Sequence, residues 1–497
     1  MTGSGAILAN PPGPTAMKSI HATHALIAPA NGVDSDVAIE LDGDIISKLT
    51  RGQAPLPGAG RTLVLPAFAN AHDHARPLAM SSFGAALMPL ETWLPRSMLA
   101  TPPDAYLAAL APLARAARSG CASVMVHYTR PSGKLSAVDE AREVARAAAD
   151  IGVRIAFAPA LRDRNPLVYG DEAGVLSRLP AETADLVKKT YCQPPASIAA
   201  MIETTEAIAE AIEGPMVDVQ FGPAAVQWCS PSLLEAIAAR SAETGRRVHM
   251  HLLETVYQRE WADRNFPQGI VTYLKDIGLL SPRLALAHCI HARPDELDMI
   301  AEAGVTVVTN SSSNMHLRSG IGPIADAYAR GCRIAVGMDG LAFDEDDDMV
   351  RETRLANALH GGSGFHSTWD RPVFLAQMIA NGRAITGAPG PGLLGEGSAA
   401  DLLIIDYDRL DRDRIMPVDP VALLFARANA ADIAEVIVAG RTIVRSGQVL
   451  GIDLEAAQAE LRRRYRHEAA RFDTLKAAWP AIEIELEQWF HGMSGCC

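Results

Sequence analysis

Four short segments of this chain carry the residues from which a hydrolytic site can be made. His72-Asp73-His74 closes an apolar run that begins at Leu63. His251 is followed three residues later by Glu254, and His288 and Asp339 each stand at the end of a further apolar stretch. In extended chain, residues two apart face the same way, so His72 and His74 can aim at one point. His72, His74 and His251 offer three neutral nitrogens, and Asp339 offers a carboxylate. That donor set suits one divalent metal, with zinc expected and iron or manganese as alternatives. A bound metal of this kind lowers the pKa of its water toward neutrality. Glu254 is close enough in sequence to His251 to move that water's proton to a leaving group. His288 would polarise the attacked atom or hold the nucleophile, and Asp339 can also accept a proton.

These residues need a scaffold that brings distant strand ends together. Between about residues 67 and 395 the sequence alternates apolar runs of strand length with Ala-rich helical stretches. The strands read at 122–126, 153–157, 217–221, 247–251, 284–288, 305–309 and 333–337, and the run before His72 makes eight. Eight strand–helix units predict an α/β fold, a (β/α)8 TIM-type barrel, whose catalytic groups sit at the carboxyl ends of its strands. The two flanks read differently. Asp36 to Leu41 alternates and turns at Asp42-Gly43, while 401–406, 435–438 and 442–444 are short apolar strands. Residues 18–66 plus 396–450 are therefore expected to form a small composite β-sandwich domain from both chain ends. Residues 1–17 read as a flexible tail, 67–395 as the barrel, and 451–497 as a helical extension packed outside and without chemistry.

Singly, each motif has an ordinary explanation. A His-x-His pair is often two polar residues at a strand end, and Asp-Gly after a strand is usually a turn. His249, two residues before His251, faces the same way by alternation and is either a filler of the barrel interior or an alternative ligand. The convergence of four strand ends is what carries the reading.

Composition narrows the field further. Hydrophobic residues are 48% and charged residues 21%, the balance of an ordinary globular protein. The formal net charge of −13 speaks against a nucleic-acid partner, which would require a basic face. Seven scattered cysteines form neither a CxxC pair nor a disulfide framework, and the vicinal Cys496-Cys497 reads as tail. The first sixteen residues hold no Lys or Arg, so no secretory signal is expected. With no apolar run of roughly 18 residues, no membrane association is expected, and the location is expected to be cytoplasmic.

The ordered set Pro66-Ala67-Phe68-Ala69-Asn70-Ala71-His72-Asp73-His74, His249-Met250-His251-Leu252-Leu253-Glu254, Ala287-His288-Cys289, Ser313-Asn314-Met315-His316 and Gly337-Met338-Asp339-Gly340 resembles the amidohydrolase superfamily. It is most similar to the cytosine deaminase and s-triazine hydrolase branch. The resemblance spans about residues 18–450. It implies a mononuclear site with His72, His74, His251 and Asp339 as ligands, Glu254 as proton shuttle, His288 as electrostatic partner, and the composite β-sandwich. No lysine lies on 217–221 to bridge a second metal. The chain departs from the family pattern at Asp73 and Met338, and at Gly222-Pro223-Ala224, where many deaminases carry a histidine.

Substrate contacts are expected from Arg76 and Arg162, whose forks suit carboxylates and carbonyls, and from Tyr128, Trp228 and Tyr169, which can stack on a flat ring. Arg164 and Asn165 follow the same strand as Arg162, and Asn314 lies in the fourth motif. The acidic run Asp344 to Asp348 could attract a cationic group. The small-molecule reaction expected first is hydrolytic deamination of an aminated N-heterocycle. The alternative is hydrolysis of an amide, urea or carbamate C–N bond, and the last is a non-catalytic scaffold. Relatives of this kind make a homo-oligomer an expectation too.

Overall fold

The computed structural model describes residues 18–53, 58–340 and 345–493. The tail expected at 1–17, the pair Cys496-Cys497 and Asp344 of the acidic run lie outside these residues.

Eight parallel strands enclose the centre: β1 (Phe68–Asp73), β2 (Cys121–Tyr128), β3 (Arg154–Leu161), β4 (Val217–Val219), β5 (Val248–Leu252), β6 (Leu284–His288), β7 (Thr306–Thr309) and β8 (Arg333–Val336). Strands β1 to β4 pair in order, as do β5 to β8. The seam between β4 and β5 is bridged by His249 N donating to Phe221 O at 3.0 Å. The seam between β8 and β1 closes at the carboxyl ends of the strands, where Asp339 N donates to His72 O at 2.9 Å. Gly337 permits this approach, since a Cβ there would sit 2.8 Å from the His72 backbone nitrogen.

The barrel interior is rich in alanine. Ala71, Ala156, Ala158, Ala285 and Ala335 form one buried cluster with Met125, Val308 and Ile385. The low volume of the alanines leaves room at the strand ends for several imidazoles. The surrounding helices are held by ordinary means. Ala137–Ile151, for example, buries Ala141, Val144, Ala148 and Ile151, is capped by Ser136 accepting from Asp139 N, and stops at Gly152 with φ 90°.

The apolar run leading to His72 is two strands, not one. Thr62–Pro66 pairs antiparallel with Leu402–Asp406, whereas Phe68 onward pairs with β2. The exchange occurs at Ala67, whose N–H donates to Asp401 O at 3.0 Å, while Phe68 N donates to Gly120 O at 2.9 Å. Thr62–Pro66 belongs to a second, eight-stranded sheet that joins both flanks of the chain in one hydrogen-bonded path. Asp401 ties that sheet to the barrel base: both its oxygens lie 2.7 Å from Arg154 Nη1, and Oδ2 lies 2.9 Å from Arg383 Nη1. Among the described residues, no helix is long and apolar enough to cross a membrane.

Candidate active site

At the carboxyl ends of the strands the backbone turns sharply. Ala75, Leu253, His288, Cys289 and Asp339 all adopt positive φ, between 50° and 74°. Non-glycine residues occupy this region at a cost of order 1 kcal/mol or more and gather where function demands it. The turns aim His72, His74, His251, His288, Glu254 and Asp339 at one point, and all six are buried.

Each imidazole is oriented by a partner on its far nitrogen. His74 Nδ1–H donates to His127 O, and His251 Nδ1–H to Ala224 O, both at 2.7 Å. His72 Nδ1 is 2.8 Å from His249 Nε2, and His288 Nδ1 is 2.8 Å from Asn314 Oδ1. A carbonyl can only accept, so Nε2 of His74 and of His251 is left with a lone pair. Those two Nε2 atoms are 3.2 Å apart. Asp339 Oδ1 lies 3.1 Å from His74 Nε2 and 3.4 Å from His72 Nε2, and His72 Nε2 is buried without a hydrogen bond. Lone pairs and a carboxylate packed this tightly repel one another unless a cation lies among them. The donor set thus fits a divalent metal, and overlapping groups of three such ligand atoms lie within 4.8 Å of one another.

The electrostatics agree with ligation. Burial drives His72 down to about 3 and holds His251 and His249 well below the ordinary imidazole range, so these rings stay neutral. Against the desolvation that burial imposes, the Arg76 guanidinium holds Asp339 well below the usual carboxylate range. Burial raises Glu254 to about 7, offset in part by His288. Glu254 Oε2 is 3.7 Å from His288 Nε2, its Oε1 has no partner, and its own N–H is fixed by Gln258 Oε1 at 2.9 Å.

Several residues differ from expectation. His249 serves neither as filler nor as a fourth imidazole at the centre; it braces His72 from behind. His127, not singled out in the sequence, packs in the same cluster with Nε2 3.0 Å from Gly222 O. The signal was alternation along β2, which runs two residues beyond Val126. Gly222 lies against this ring, and a Cβ there would meet His127 Nε2 at 2.9 Å. Asp73 turns aside to accept from Asn70 Nδ2 and Ala75 N, both at 2.7 Å. Ser313 Oγ donates to Asp339 Oδ2, a contact the motif alone did not specify.

The cavity above these groups is lined by Arg76, Tyr128, Arg162, Tyr169 and Trp228, and also by Glu91, Trp93, Arg130 and Phe490. Arg76 is pinned, stacking over Trp93 at 4.7 Å and reaching Asp339 Oδ1 at 3.4 Å. Asn314 is absent from the lining and acts on His288 instead. Arg164 and Asn165 bond the backbone of Val226 and Gln227 and also stay out of the lining. Two members of the acidic run are used within the protein: Asp347 pairs with Arg115 at 2.7 Å and Asp348 caps the following helix. The C-terminal extension is the clearest correction. Its helix Asp473–Met493 delivers Phe490 to the cavity wall, 5.1 Å from Tyr169 and 5.3 Å from Tyr257 between ring centroids.

A barrel carrying a metal-binding cluster at its strand ends defines a class of hydrolases, and sequence comparison makes the class specific. The profile of the amidohydrolase family matches residues 63–443, and the chain belongs to that family. It is 30% identical over 455 residues to the 8-oxoguanine deaminase of Pseudomonas aeruginosa, covering 89% of this chain and 95% of that protein. It is 28% identical over 436 residues to the 5-methylthioadenosine/S-adenosylhomocysteine deaminase of Pyrococcus horikoshii, covering 85% and 93%. In fold it is similar to a zinc-bound adenosine deaminase from Xanthomonas campestris, with TM-score 0.74 and 22% identity over 91% of this chain and 98% of the other. It is also similar to an atrazine chlorohydrolase from Arthrobacter aurescens TC1 complexed with zinc and atraton, with TM-score 0.73 and 20% identity over 90% and 99%.

Proposed function

We propose that this protein hydrolytically deaminates an aminated N-heterocycle, using one divalent metal, zinc first, held by His72, His74, His251 and Asp339. The observation that carries the reading is Glu254: buried, raised to about 7, with one oxygen unpartnered and the other beside His288, next to the four-donor cluster. The deaminase relatives, which act on purine-like compounds by name, support the same chemistry.

When bound, the metal would polarise a water molecule and make it acidic enough to give up a proton near neutral pH. Glu254 takes that proton and delivers it to the departing nitrogen, a transfer its raised pKa suits in both directions. His288, held by Asn314, presents Nε2 toward Glu254 and stabilises charge that builds on the attacked carbon's substituents. Trp93, Tyr169, Trp228 and Phe490 provide flat apolar walls for a ring and exclude bulk water.

The test is product release by zinc-loaded protein across amino-heterocycles, N-alkylaminotriazines, amides and ureas. Ammonia from a ring amine is expected, reduced about 10²–10⁴-fold in Glu254→Gln with the metal content unchanged. Release of an acid and an amine without ring deamination would replace this reading with amide or carbamate hydrolysis. A fully active Glu254→Gln would remove the proton-shuttle assignment.

A further inference from the structure

Two guanidiniums in the cavity have no task in the chemistry above. Arg130 follows β2 and Arg162 follows β3, strands that run side by side up to the pair Tyr128↔Pro159. Both side chains line the same cavity as Glu254 and Asp339. Arg130 Nη2 donates to Ser97 Oγ at 2.5 Å and Nη1 faces Met98 Sδ, both neutral partners. Arg162 makes no hydrogen bond or ion pair among the described residues, and neither arginine has a carboxylate within ion-pair reach there. Arg162 keeps accessible surface although protein surrounds it, the pattern of a side chain whose open face is a cavity wall.

The pair bears on itself electrostatically. Burial, and after it the positive charge of Arg162, depresses Arg130 to about 10. Of the cavity's arginines, Arg76 is the one that reaches the reacting end, with Nη1 3.4 Å from Asp339 Oδ1; among the described residues neither Arg130 nor Arg162 pairs with Asp339 or Glu254. Glu91, the remaining carboxylate in the cavity, forms no ion pair with either arginine: its Oε1 accepts from Tyr169 OH at 3.0 Å and from Thr255 Oγ1 at 2.5 Å, and its Oε2 is buried without a hydrogen bond. Desolvated like charges without a counterion are costly, and proteins retain them where a ligand supplies the opposite charge. Guanidinium forks match the planar oxygens of carboxylate and the oxygens of phosphate.

We propose that Arg130 and Arg162 form an anion subsite, and that the substrate is an amino-heterocycle bearing a carboxylate or phosphate group away from the carbon that loses its amine. This substrate class rests on the deaminase reading; the subsite itself does not. Such a group would anchor the molecule at one end and leave the ring free to approach Glu254 and His288 at the other.

The experiment measures binding apart from turnover, by quenching of tryptophan fluorescence in zinc-loaded protein, since Trp93 and Trp228 line the cavity. Pterin-6-carboxylate is compared with pterin-6-carboxamide, and adenosine 5′-monophosphate with adenosine. At least one anionic member should bind about 10-fold or more tightly than its neutral twin, a difference of about 1.4 kcal/mol. Which pair shows the preference separates carboxylate from phosphate. Arg130→Met and Arg162→Met should each remove most of that preference and leave the neutral member's affinity within about 3-fold. Arg130→Lys should keep part of it, which a merely structural role would not predict. Equal affinities within both pairs, or no binding of either anion at millimolar concentration, overturns the subsite. Anion preference without any ammonia release keeps the subsite and removes the deaminase reading; ammonia release without anion preference does the reverse.

Discussion

The barrel has a buried polar cluster at each end, and the two are built on opposite terms. At the base, Asp401 gathers Arg154, Arg383 and the Ala439 N–H, the last at 2.8 Å, so that its charge is met on several sides. At the catalytic end, imidazole lone pairs and carboxylates crowd together, His72 Nε2 and Glu254 Oε1 have no hydrogen bond, and the backbone enters positive φ. The base uses charge to fix the barrel against the outer sheet. The other end leaves polar atoms unsatisfied, which costs stability and creates affinity for what is bound there. Burial alone therefore says little about a polar cluster; whether opposite charges are paired within it separates a joint from a site.

The contrast can be tested from both sides. Asp401→Ala should produce the largest loss of stability, about 3–5 kcal/mol, because two arginines lose their counterion. Urea denaturation would show the loss, while activity per folded molecule stays near wild type. A loss below about 1 kcal/mol would show that the base is not a charge-fixed joint. His249→Gln should reverse that balance. It touches no proposed metal ligand except through His72, so metal affinity should weaken about 10–100-fold while urea stability of the metal-free protein barely moves. Metal retained against a competing chelator is the readout.

The smallest effect belongs to Glu352, a buried carboxylate behind the catalytic end held by Ser312 N at 3.0 Å and by Ser312 Oγ. Burial raises it from 4.5 to about 7, against the pull of those hydrogen bonds. The folded state therefore holds its proton more tightly than the unfolded state does. Its stabilising contribution is full below about 4.5 and is lost as pH rises through about 7. Denaturation at pH 5 and pH 7.5 should show that decline in the wild type and a smaller one in Glu352→Gln.

Much of the architecture was legible because polar residues interrupt apolar strands at regular places. His72, His74, His251, His288 and Asp339 each end such a run, and the structure gathers them at one point. What escaped reading depends on partners distant in sequence. The change of sheet at Ala67 is invisible within an unbroken apolar run, since both halves are buried strands and differ only in their neighbours. His127 and His249 could be seen as inward-facing, but their tasks depend on which nitrogen meets which carbonyl or ring across the barrel. Asn314 looked like a substrate contact because it lies in a motif at the right end; its carbonyl oxygen is used on His288. Arg130 stood out only once the structure showed it without a counterion. Phe490 lies more than 400 residues from His72, and no local pattern links a C-terminal helix to a cavity formed so much earlier in the chain.

That helix has a further consequence. It is attached by an apolar stripe, Leu475, Trp479, Ile482, Leu486, Phe490 and Met493, with the Arg178–Glu485 ion pair and Arg264 donating to Met493 O beside it, and Pro480 removes one backbone hydrogen bond near its middle. Such an element can fray or detach while the barrel stays folded, because cooperative units of different stability coexist in one protein. The enclosure of the cavity then belongs to a smaller unfolding unit than the residues that do the chemistry. Heat or mild denaturant would open the chamber before it disordered the metal-binding cluster, and selectivity would fade at temperatures where catalytic competence survives.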